Sequence, residues 1–541
     1  MRKHTVQGLI LLGVTLLALV LLLGNSEHWT AASRLTQSMV SEEEFTALTK
    51  NRTEQPELIS QLRCNDFVLP GGAGSFYYSM IEGDKLAFDP VVQIDGRRKL
   101  QIAFPARQLD EEFLRQGGGL PFVAYTGSSF ARGTLYFTTL PTVSIDVLEP
   151  DSNGSLDIYD RNNRLAELNL FDNRENIPSN SRRVHSETSI RIRGASSSYL
   201  PKQSYRLSLS TLSLGDNRRS NPRALLGMRE DEDWILYAGG NDPERLRNSF
   251  CNNLWYQTGA RSNSFGVCLG IECRYVELVL NGEYMGLYTL MYPLDTKQVS
   301  LPENGLYYRA ISYDKPSADT FQNANEETEL GGWELRYPAK AHGYETWECL
   351  EDYLNHTLYE TTEDFETWFY ETLDEENNIS LQLFLSLVQG MDNYYKNNNV
   401  IAYPQADGSY RCLLAPWDLD LTFGNQYSPD NEWHTLPYTI PPERKFKAWT
   451  LPATRMISIS SSFRQKLYST YQAMRQDEWS ETALMEMVDA YEADIYFSGA
   501  MAREHSRWPT APTSENLDEF RAFLAARLQY LDSYFVEEAQ K

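Results

Sequence analysis

Asp392 stands five positions before Asn397 in MDNYYKNNNVIAY, and Asp418 and Asp420 stand two apart in PWDLDLTFG. Read as a strand, the second stretch puts Asp418, Asp420 and Thr422 on one face, with Trp417, Leu419, Leu421 and Phe423 on the other. Like charges that close raise one another's pKa unless a cation lies between them, so the pair is a candidate Mg²⁺ or Ca²⁺ site. Upstream, RGASSSYLPK sets Gly194 and three serines in a turn between two strand-like runs, with Lys202 opening the second. Backbone N–H groups and the hydroxyls of Ser196 and Ser197 suit a phosphate cradle, and a strand lysine supplies a point charge. The same residues also make an ordinary hairpin turn with a surface lysine, and Arg193 and Arg206 beside it are either phosphate clamps or surface ion pairs.

The elements that must hold these groups are legible in outline. Ser380 to Gly390 is apolar on nearly all sides and predicts a buried helix leading into the Asp392 loop. VIAY, an Asp407-Gly408 turn and YRCLL predict a hairpin whose returning strand delivers Asp418. Between Asn241 and Gly259 the spacing predicts a helix, with Asp242 as N-cap, Pro243 in the first position and Gly259 as the stop. YVELVL and YMGLYTLMY, joined by Asn281-Gly282, predict a tight hairpin. Phe463 to Phe535 carries apolar residues at helical spacing. Helix, Asp-x-x-x-x-Asn loop, hairpin, then an Asp followed shortly by Phe-Gly is the order in which protein kinases present a catalytic base and two Mg²⁺ ligands.

Around this core, Thr5 to Ser26 is uncharged and Leu9 to Leu23 nearly all aliphatic, which predicts a membrane-spanning anchor over residues 1–26. A cleaved signal peptide has the same general form. Arg2, Lys3 and His4 precede the segment and Glu27 and Glu42 to Glu44 follow it, so the N-terminus is expected in the cytoplasm and the body outside it. Residues 27–62 read as a polar stalk, and residues 63–140, with short β-rich runs between glycine turns, as a small β-sandwich. In 541 residues, 74 acidic against 49 basic side chains give a formal charge of −25, which excludes nucleic acid and favours basic partners or bound cations. Six cysteines without a C-x-x-C pair and seven scattered histidines exclude a zinc site, although Cys268 and Cys273 could be bridged. Two carboxylates on one strand cannot flank a glycosidic bond, which excludes a glycoside hydrolase.

IRIRGASSSYLPKQSYRL, LLGMREDEDWILYAGGNDPERLRN, VELVLNGEYMGLYTL and APWDLDLTFG together resemble the spore-coat protein H (CotH) kinase-like family, in its order of blocks, from about Leu140 to Phe535. The resemblance implies an α+β, atypical protein-kinase-like domain over residues 141–537 with a C-terminal helical part, which transfers the γ-phosphate of ATP to serines of basic, Ser-rich surface or spore-coat proteins. It implies Asp392 as catalytic base and Asp418 as principal Mg²⁺ (or Mn²⁺) ligand, with Asn397 and Asp420 beside it. Lys202 would contact ATP, with Arg193, Ser196, Ser197 and Arg206 around the nucleotide. Tyr292 stands where many relatives have an acid, and Asn398 and Asn399 where aromatics are usual. The abundant Tyr and Trp support a second reading: a non-catalytic surface or coat-binding protein with a structural cation at Asp418 and Asp420.

Overall fold

Asn281 and Gly282 adopt positive φ of 51° and 77°. Two such residues make the primed turn that matches strand twist. Cys273–Leu280 and Glu283–Met291 therefore return on each other as a hairpin of an eight-stranded sheet. That sheet runs Arg183–Arg193, Arg164–Phe171, Thr142–Val147, Cys273–Leu280, Glu283–Met291, Asp233–Tyr237, Ser204–Thr211 and Arg219–Ser220. Arg183–Arg193 also pairs with Ser204–Thr211, Arg193 lying opposite Ser204, so the sheet closes into a barrel that leaves only Arg219–Ser220 outside the ring. Alternate residues fill it: Val143, Ile145, Leu168, Ile190, Ile192, Leu207 and Trp234 are buried. These coordinates are a computed structural model describing residues 29–96, 100–194, 196–211, 218–317, 319–359, 362–428 and 431–541.

A second lobe is built on a five-stranded sheet in which Leu306–Ala310 lies between Trp333–Tyr337 and Asn398–Pro404, with Tyr410–Pro416 beyond. The buried helix expected near Ser380 spans Glu375–Val388, capped by Asp374, which accepts from the Asn377 N–H at 2.9 Å. The Asn377 side chain donates to Leu414 O and accepts from Leu414 N, fastening this helix to the strand that leads to Asp418. Five helices of the C-terminal part, from Pro452–Ile459 to Asp518–Gln540, cover the rest.

Two expectations are corrected here. The stretch read as a stalk is folded: Trp29–Arg34 pairs with Val91–Gly96, and Gln61–Cys64 pairs with the same strand on its other side. This sheet shares one core with a second, larger sheet, through Leu62, Val92 and Ile94 against Phe104, Leu120, Phe122 and Leu135. The β-rich unit thus begins by Trp29 rather than residue 63. The helix expected from Asp242 starts only at Arg247, because Arg245 takes a φ of 56°. Asp242 still accepts from Leu246 N and Arg247 N, so it caps across a loop, and Gly259 closes the helix as expected. The membrane anchor expected over residues 1–26 lies outside the described residues, and among those described no helix is long and apolar enough to cross a membrane.

Candidate active site

Gln389, at φ 53°, ends the buried helix and turns the chain into a short 3-10 turn, Asp392–Tyr394. The Asp392 carboxylate is 4% exposed. It accepts from Asn397 Nδ2 at 3.0 Å, pairs with Lys396 Nζ at 3.0 Å and accepts the Tyr313 hydroxyl. Lys396 also lies 4.6 Å from the Tyr313 ring centre, so carboxylate, cation and phenol hold one another. Asn397 is fixed by its own backbone: its N–H donates to Ala310 O and its carbonyl accepts from Trp417 N. With its amide nitrogen on Asp392, the Asn397 side-chain oxygen meets no donor among the described residues. Asn398 and Asn399 are buried struts: Asn398 donates to Asn393 O, while Asn399 accepts from Arg309 Nε at 3.0 Å and donates to Ala415 O.

The carboxylate pair is present but is not carried on a strand. The strand Tyr410–Pro416 ends before it, and Asp418 takes a φ of 56° in the loop that follows. Asp418 and Asp420 still come together with Asp392. Asp420, 8% exposed, accepts from Asn241 Nδ2 at 2.9 Å. Burial, then Asp418, then Asp392, push its carboxyl well above the usual carboxylate range. The Asp418 carboxyl is also raised, first by the protein packed around it and then by Asp392, while Arg193, Lys396 and Arg309 pull it down. Asp418 is exposed, so solvent at the cleft mouth tempers the crowding. Neighbouring carboxylates that raise one another in this way are groups a divalent cation would stabilise further. Among the described residues no group of three or more His, Cys, Asp or Glu side chains is placed to hold a metal ion. Mg²⁺ commonly needs only one or two carboxylates beside water and substrate phosphates.

Beside Asp418 a cavity of about 120 Å³ is lined by Arg193, Arg206, Arg309, Arg336, Asp233 and Trp417. Arg206 pairs with Asp233 at 3.0 Å, and Arg309 stacks on Trp417 at 4.4 Å. The Arg193 side chain makes no hydrogen bond among the described residues, and its guanidinium is pulled down by burial and raised by Asp418. Arg193 and Arg206 both line this cavity, Arg206 held there by its ion pair with Asp233. The turn after Arg193 is Ser196–Tyr199. The side chain of Ser196 lies outside the described residues, and Ser197 Oγ turns back to within 2.2 Å of where a Gly194 Cβ would sit.

Lys202 does not meet the expectation of a phosphate contact. Its Nζ is buried and donates to Ala238 O, Leu287 O and Glu504 Oε1, the last at 2.7 Å. Three N–H groups with three acceptors leave none for a nucleotide. Burial pulls Lys202 down to about 8. Burial works to raise Glu504, but Lys202 and Arg245 outweigh it and hold the carboxyl below its usual range. A Cβ on Gly286, at φ 108°, would come within 2.1 Å of Glu504 Oε2. Gly286→Ala is therefore expected to cost about 3 kcal/mol of stability by splitting a buried pair, read as a lower urea midpoint at unchanged slope.

Tyr292 belongs to the core: its hydroxyl accepts from Glu272 N and Arg229 lies over its ring, 4.6 Å away. Cys268 and Cys273 are both free; the close pair is Cys349 and Cys412, with Sγ atoms 3.9 Å apart. The sequence reading missed Lys396, Tyr313, Arg309, Asn241 and Glu504. Only Lys396, one turn after Asp392, carried a signal that spacing offers.

A strand barrel and a mixed lobe, with the Asp392 turn, the Asp418 and Asp420 pair and the arginines near one another, make a mixed α+β arrangement that fits a kinase-like fold. Residues 190–531, more than half the chain, match the family described as CotH kinase protein, and the chain belongs to that family. Comparison with curated proteins gives no match.

Proposed function

We propose that this chain is an atypical protein kinase, held at a membrane by residues 1–26 with its body outside the cytoplasm, that phosphorylates Ser or Thr of basic, Ser-rich surface or spore-coat proteins. The observation that carries this reading is the meeting of Asp392 with Asp418 and Asp420 beside a pocket lined by guanidiniums. Asp392 accepts the proton of the acceptor hydroxyl or orients it, with Asn397, Lys396 and Tyr313 fixing its oxygens. Arg193 and Arg309 face Asp418 and supply positive charge for the nucleotide phosphates, the task first assigned to Lys202. Asp418, Asp420 and the Asn397 side-chain oxygen would hold Mg²⁺ or Mn²⁺, which when bound neutralises charge on the transferring phosphoryl group. The formal charge of −25 favours basic acceptors.

Mn²⁺ with ATP is expected to raise the melting temperature, and Arg193→Ala to weaken ATP binding about tenfold while leaving the metal-only shift intact. A melting temperature that ignores nucleotide in the wild-type chain would count against the kinase reading; a shift with glycan instead would favour a surface-binding protein.

A further inference from the structure

The family match begins at residue 190, so it assigns nothing to the β-rich domain before it. Several side chains tie that domain into the barrel, among them Asn173, which donates to Met80 O and Thr139 O, and Arg503, which also reaches toward the site. Arg503, buried in the helix Ala500–Arg507, donates to Gly117 O at 2.7 Å and Phe137 O at 3.1 Å, both in the β-rich domain. The same guanidinium pairs with Glu277 of the barrel hairpin at 2.8 Å, and Tyr284, which donates to Glu277, stacks on Tyr77 at 4.8 Å. At Gly499, where the helix begins, a Cβ would lie 2.1 Å from Leu114 O, so the two parts touch through backbone.

The next residue in that helix is Glu504. It binds Lys202 Nζ and Arg245 Nε and accepts from Leu287 N. Lys202 in turn holds Ala238 O, and Arg245 holds Asp242 O and Pro512 O. These contacts fix both ends of the loop between Tyr237 and Arg247, and that loop carries Asn241, the residue that donates to Asp420. One helical turn therefore joins the carbonyls of the β-rich domain to the support of an active-site carboxylate.

We propose that the amino-terminal β domain is a working part of the catalytic unit: through Arg503 and Glu504 it fixes the 238–246 loop and so sets Asn241 against Asp420. Arg503, Glu504, Lys202 and Asn241 are positioning residues in this scheme, which rests on Asp420 serving as a metal ligand. Supports of this kind usually contribute ten- to a hundredfold in metal affinity or activity.

The test uses the full chain with Glu277→Leu and Arg503→Met together, so that no lone charge is left buried. Expected are a metal-free melting temperature close to wild type, amide hydrogen exchange across residues 239–247 faster by about tenfold, and half-saturating Mn²⁺ in a thermal titration higher by about tenfold. Arg503→Lys keeps the charge, but an ammonium cannot span Glu277 and both carbonyls, so smaller changes in the same direction are expected. It carries the test if the double variant does not fold. A folded variant whose loop exchange matches wild type overturns the proposal. A wild-type chain that neither binds Mn²⁺ nor transfers phosphate overturns the function proposed above, while the exchange comparison still decides whether the domain holds the loop.

Discussion

Asp392→Asn is expected to lower phosphate transfer about a thousandfold with little change in folding or in ATP-dependent stabilisation. The size follows from removing a positioned proton acceptor, which contributes a factor of about 10² to 10⁴. The small structural effect follows from shape. Asparagine keeps an oxygen for the Tyr313 hydroxyl; it gives up the pairing with Lys396 and the hydrogen bond from Asn397 Nδ2, while Lys396 retains its place over the Tyr313 ring and Asn397 stays fixed by its backbone bonds to Ala310 and Trp417. The measurement is single-turnover transfer at saturating ATP, beside a melting curve with and without nucleotide. A loss of nucleotide stabilisation equal to the loss of rate would make Asp392 a binding group instead.

Asp420→Asn is expected to act in two directions. Metal-dependent stabilisation disappears and transfer falls at least about a hundredfold, because a buried ligand is lost. Without metal the variant melts higher than wild type, by about 3 °C, since one carboxylate is removed from a crowded set of three. The sign with pH follows from the raised folded-state pKa of Asp420, caused by burial first and Asp418 next. Below the unfolded-state value of about 4 the carboxyl is protonated in both states and the difference is small. As pH rises through the folded-state value, the wild-type chain must ionise it against its neighbours and loses stability, which the variant does not. The gap in melting temperature should therefore widen from acidic to neutral pH in chelator and close when Mn²⁺ is added. A constant gap across pH would show that the charge of Asp420 is not what separates the two.

Much of this site was legible in residue order because its parts are local. Asp392 and Asn397 are one turn apart, the Asn281-Gly282 turn dictates its own hairpin, and Asp418 and Asp420 meet whether the chain is strand or loop. The side-chain alternation read for PWDLDLTFG failed because Asp418 takes a left-handed conformation, which a period-two pattern cannot display. The helix at Asp242 was read too early for the same reason at Arg245. Residues 29–62 passed for a stalk because their strands are short and their pairing partners lie elsewhere: Trp29 pairs with Gly96. Lys202 was misread because its partner, Glu504, lies 302 positions away. No local signal tells a lysine aimed at solvent or ligand from one saturated by two carbonyls and a carboxylate.

The most direct measurement of phosphate transfer incubates the chain from residue 29 onward with γ-labelled ATP, Mg²⁺ or Mn²⁺ and a basic Ser-rich acceptor, beside Asp392→Asn and Asp420→Asn. Label on serine or threonine of the acceptor from the wild-type chain, and none above background from either variant, is the expected result. Equal label from all three, or none from a wild-type chain that melts cooperatively and ignores nucleotide, would contradict a kinase built on these carboxylates.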